Sequence, residues 1–83
     1  MESIVKYNMQ TYSSSEILEL VKSNQGKTIE VQLLLIGGYA THFIYCNKNR
    51  IFNEGIDGVN FPISEKRFLE LYPNAFWKLN QIV

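Results

Sequence analysis

The sequence has almost nothing from which redox or metal chemistry is built, with one cysteine and one histidine in 83 residues. A lone Cys46 forms no internal disulfide. That removes the usual covalent support of a small secreted fold and points to a reducing, cytoplasmic setting. Net charge is also missing: eight basic and eight acidic residues give a formal charge of zero, so no long-range field gathers nucleic acid or anionic lipid. Long hydrophobic runs are absent as well. The longest, residues 33–46, is broken by Gly37, Gly38, Thr41 and His42 and is too short to span a bilayer. Glu2 and Lys6 interrupt the start, where a secretory peptide needs an apolar core. Membrane association is therefore not expected, and no internal repeat or low-complexity tract is present.

What is present suits one small globular domain over residues 1–83, at 46% hydrophobic and 19% charged content. Isoleucine, asparagine and lysine are favoured over arginine, as in an A+T-rich coding sequence of bacterial or phage type.

Two helices are announced by their caps. Ser13 with Glu16 three positions on forms a capping box, Tyr12 and Ile17 occupy the flanking staple positions, and Gly26 supplies a left-handed stop. The spacing predicts a helix over about 14–25 with Ile17, Leu18, Leu20 and Val21 inward. Ser64 starts a second helix over about 65–72, with Ile63 and Phe68 as staple, Lys66 and Glu70 as an ion pair, and Pro73 as terminator. Its expected buried residues are Phe68, Leu69, Leu71 and Tyr72.

Between the helices the period changes to two, and Gly37-Gly38 reads as the two-residue loop of a hairpin over 28–47. That loop sets Ile36 opposite Tyr39, Leu34 opposite Thr41, Gln32 opposite Phe43 and Glu30 opposite Tyr45. One face then carries Ile29, Val31, Leu33, Leu35, Ala40, Ile44 and Cys46 with only His42 polar, and belongs against the helices. Glu30, Gln32 and Thr41 share the other with Leu34, Ile36, Tyr39, Phe43 and Tyr45.

Shorter strands are expected at 50–53 and at 59–61, turned by Asp57-Gly58 and ended by Pro62. Residues 4–9 read as an edge strand, and 75–83 reads either as a helix starting at Pro73 or as a terminal strand, the strand being favoured because Phe76, Trp77, Ile82 and Val83 suit a pleated surface. The expected class is α+β: a single antiparallel sheet of three to five strands built on the central hairpin, with two helices mostly on one face.

Catalytic constellations are scarce. Four positions apart on a strand, His42 and Cys46 are separated by about 13 Å at ~3.3 Å per residue, too far for a dyad or a shared metal ion. Glu54 and Asp57 are the most acidic spot and could divide acid and base roles, but a turn before Gly58 explains Asp57 by backbone preference. The glycines of residues 55–58 have the spacing of a backbone-clamping loop without its basic surroundings. The expectation is a non-enzyme with no cofactor and no metal.

The aromatic face remains. Leu34, Ile36, Tyr39, Phe43 and Tyr45, rimmed by Glu30, Gln32 and Thr41, have the anatomy of a protein-binding patch unless the C-terminal segment with Phe76 and Trp77 folds over it. A protein partner or a second copy of the chain is expected there, as in a small interaction or inhibitor-type domain. The alternatives are single-stranded nucleic acid stacking on the rings with Lys48 and Arg50 as its cations, which the zero net charge disfavours, and a small enzyme using the turn carboxylates.

Overall fold

A computed structural model describes residues 10–54 and 60–83 and forms them into one antiparallel sheet with two helices. In chain order the elements are β1 (Tyr12–Ser13), α1 (Ser14–Ser23), β2 (Thr28–Leu35), β3 (Gly38–Asn47), β4 (Arg50–Glu54), β5 (Asn60–Ile63), α2 (Glu65–Leu71) and β6 (Phe76–Ile82). Strand order across the sheet is β1-β6-β2-β3-β4-β5. The α+β class stands, but six strands replace the expected three to five. The addition comes from Tyr12 and Ser13, which pair with Trp77 and Phe76 while Ser13 also caps the first helix. The strand expected at 4–9 and the turn at Asp57-Gly58 lie outside the described residues.

The helix starts follow from their caps. Ser13 Oγ accepts from the Glu16 amide at 3.2 Å, and Glu16 Oε1 accepts from the Ser13 amide at 2.8 Å, closing the capping box. Ser64 Oγ likewise accepts from the Arg67 amide at 3.0 Å. Both helices end a little earlier than their spacing predicts. Asn24 stops α1 by donating its side-chain amide to the Leu20 carbonyl at 2.8 Å, and Gly26 then turns the chain at φ +83°. Of the apolar residues expected under α2, Phe68 is fully buried and Tyr72 half-buried, while Leu69 and Leu71 are exposed. A helix of seven residues presents too narrow a stripe to bury them all. The expected Lys66 to Glu70 pair gives way to Arg67 with Glu70 at 3.5 Å.

The β2–β3 register differs from the expected one by two residues: Leu34 faces Tyr39, Gln32 faces Thr41 and Glu30 faces Phe43. Ile36-Gly37 is the loop, and Gly38 is already strand. Only Gly37 takes a positive φ, +85°, as the second central residue of a type II turn requires. A shift of two preserves side-chain parity, so both faces keep their membership. The next turn has Lys48 and Asn49 at φ 53° and 65°, the type I′ pattern that suits strand twist.

Both helices pack on the face carrying Ile29, Val31, Ile44, Cys46, Ile51, Ile63 and Trp77, which form one core with Ile17, Leu18, Val21 and Phe68. Trp77 lies at its centre, stacked on Phe68 at 5.6 Å and met edge-on by Tyr72 and His42 at 5.2 and 5.4 Å. Its indole donates to Ser14 Oγ at 2.9 Å, and that hydroxyl donates to the Tyr72 carbonyl at 2.7 Å. Lys22 meets Glu65 at 3.1 Å and ties the helices together; the carboxylate's hydrogen bond and charge raise the Lys22 pKa above its ordinary 10.5. No helix among the described residues is long and apolar enough to cross a membrane.

Candidate functional site

The sheet face turned away from both helices is set by alternation. Trp77, Leu33 and Val31 point into the core, so Phe76, Lys78, Leu34, Gln32 and Glu30 point the other way. Tyr39, Thr41, Phe43 and Tyr45 continue this face on β3, and Glu54, Phe52 and Arg50 continue it on β4. All eight residues of the sequence-derived patch and its rim thus occupy this side or, for Ile36, the loop at its end.

The C-terminal segment does not fold across it. β6 lies within the sheet between β1 and β2, burying Trp77 on the helical side and leaving Phe76 59% exposed on the open one. Exposure concentrates at the hairpin end, with Leu34 38%, Tyr39 61% and Ile36 fully exposed. Leu35, expected against the helices, is 53% exposed because β2 runs past the last β6 residue paired with it, Trp77 opposite Leu33. Phe43 and Tyr45 are half-buried nearer the centre.

Two interactions order the rest of the face. Glu30 accepts from the Asn80 and Gln81 side-chain amides at 3.1 and 2.7 Å, an arrangement made possible by the β-bulge between Glu30 and Val31. Tyr45 stacks on Phe52 at 5.0 Å, and the Arg50 guanidinium lies 5.7 Å over the same ring. Arg50 is therefore part of a ring stack, while Lys48 sits in the β3–β4 turn.

Phe76, Lys78 and Phe52 belong to the face and escape a sequence reading centred on the hairpin. The usable signal is Trp77: once the tryptophan of an alternating strand is given to the core, its neighbours Phe76 and Lys78 must face outward.

The candidate catalytic residues stay apart. His42 Nδ1 is 3.1 Å from Asn53 Oδ1, whereas Cys46 is buried in the core on the same strand. Glu54 is a β4 residue, and Asp57 with the glycines of 55–58 lies outside the described residues. Among the described residues, no three His, Cys, Asp or Glu side chains converge as a metal site. A shallow cleft of about 440 Å³ lies where β4 and β5 meet the start of α2, lined by Asn49, Arg50, Ile51, Pro62, Ser64 and Glu65 among others. It gathers one acid and one base without a buried polar group aimed into it. Comparison of the chain with protein-family models, curated proteins and solved structures gives no match.

Proposed function

We propose that this chain is a small non-enzymatic binding domain that occupies the surface of a protein partner with its open sheet face. One observation carries the reading: Leu34, Tyr39 and Phe76 form an exposed apolar end to a face that neither helix nor the C-terminal strand covers. Exposed tyrosine and phenylalanine supply large contact area with few rotors to freeze, and Gln32, Thr41 and Lys78 furnish the polar border of such an interface. A domain of this size acts by occupying its partner's surface, as an inhibitor or accessory subunit does.

The test pairs binding with stability. In affinity capture from the native host, Leu34→Ser/Tyr39→Ser is expected to lose the partner retained by the unmodified chain while melting within a few degrees of it. Unchanged capture, or collapse of the fold, removes the reading.

A further inference from the structure

We propose that the occupant of the open face is a second copy of this chain, the two sheets stacking face to face with Lys78 of each copy over Glu54 of the other. This rests on the reading of that face as a docking surface and names its partner.

The charge pattern selects the partner. Lys78 stands on β6 at one flank and Glu54 on β4 at the other, with β2 and β3 between them. Neither makes an ion pair among the described residues. A two-fold axis lying in the contact and running along the strands carries β6 of one copy over β4 of its partner, and repeats the relation on the other side. The face therefore meets its own opposite charge twice. Along the strand, Lys78 is level with Gln32 and Thr41, and Glu54 with Phe43. The offset is two residues, about 7 Å, within the reach of an extended lysine.

The same operation places Leu34 of one copy over Tyr39 of the other, since these two are direct neighbours on β2 and β3. Glu30 needs no counter-charge from the partner, because Asn80 and Gln81 already hold its carboxylate. A strongly acidic or basic partner has no such match on a face where Lys78 and Arg50 balance Glu30 and Glu54.

Area agrees with this occupant. Four strands at ~4.8 Å spacing and about seven residues in length project on the order of 500 Å². With side-chain relief that approaches the ~800 Å² per partner of a standard interface, and an identical sheet is the right size to cover it.

The experiment is sedimentation of the full chain across a concentration series, with Lys78→Glu and Glu54→Lys measured separately and as an equimolar mixture. The unmodified chain is expected to dimerise. Each single variant should dissociate at least tenfold more readily, because like charges then meet twice, and the mixture should recover a heterodimer in which both pairs are opposite. Recovery also shows that each variant is folded. An unmodified chain that stays monomeric overturns the second-copy inference; the open-face reading survives that result if Leu34→Ser/Tyr39→Ser still abolishes capture of a different protein. A dimer indifferent to both reversals, or a mixture without recovery, places self-association elsewhere and overturns the proposed pairing.

Discussion

At the scale of single residues, the least conspicuous side chain in the sequence holds the centre of the fold. Ser14 reads as one of three consecutive serines at a helix start, yet its hydroxyl accepts from the Trp77 indole and donates to the Tyr72 carbonyl. Removing that hydroxyl leaves a buried donor and a carbonyl with nothing to replace it. Ser14→Ala is expected to destabilise the fold by about 1–3 kcal/mol in urea unfolding, against a change within about 0.5 kcal/mol for the exposed neighbour Ser15→Ala. Equal effects would deny Ser14 this role. The sequence cannot announce such a residue, because its meaning comes from a partner 63 positions away. His42 is similar: its odd place on an apolar strand face is visible, but Asn53 and the edges of Tyr72 and Trp77 that accommodate it are not.

At the scale of elements, legibility follows how local the determining interaction is. The serine caps that begin α1 and α2, and the capping box that completes the first, join neighbours three positions apart, and both helix starts emerge from the sequence. Strand faces are equally legible, since parity survives a two-residue register change. The register itself is not, because adjacent glycines offer two loops of the same length and only backbone geometry chooses between them. Ile36 tolerates the first central position of a type II turn, so Gly37 alone must be left-handed. Substitutions separate the two alignments. Gly37→Ala forces a side chain into φ +85° and is expected to cost about 1–2 kcal/mol in thermal unfolding. Gly38→Ala, with ordinary φ and open space around its β-carbon, should be neutral or slightly stabilising. A cost at Gly38 as large as that at Gly37 would restore the Gly37-Gly38 loop, whose type I′ form needs both glycines left-handed.

At the scale of the whole molecule, the sheet is unevenly supported along its strands. Residues 29–33 of β2 lie between β3 and β6, and residues 43–45 of β3 lie between β2 and β4. Beyond them, among the described residues, the stretch from Leu34 to His42 is paired only within the hairpin, and its tip exposes Leu34, Leu35, Ile36 and Tyr39 on both sides. A two-stranded ribbon without flanking strands or a packed layer opens at low free-energy cost, while amides over the Trp77 core open only with the domain. Hydrogen exchange should therefore follow a gradient along the hairpin. Slow exchange approaching the global limit is expected at Val31 and Ile44, and exchange faster by orders of magnitude at Leu35 and Ala40. Raising the protein concentration should slow the tip if sheets stack face to face, because separating the copies then becomes part of opening it. Uniform protection in dilute solution would mean that the tip is already covered within one chain, and the apolar end of the open face would lose its availability to any partner.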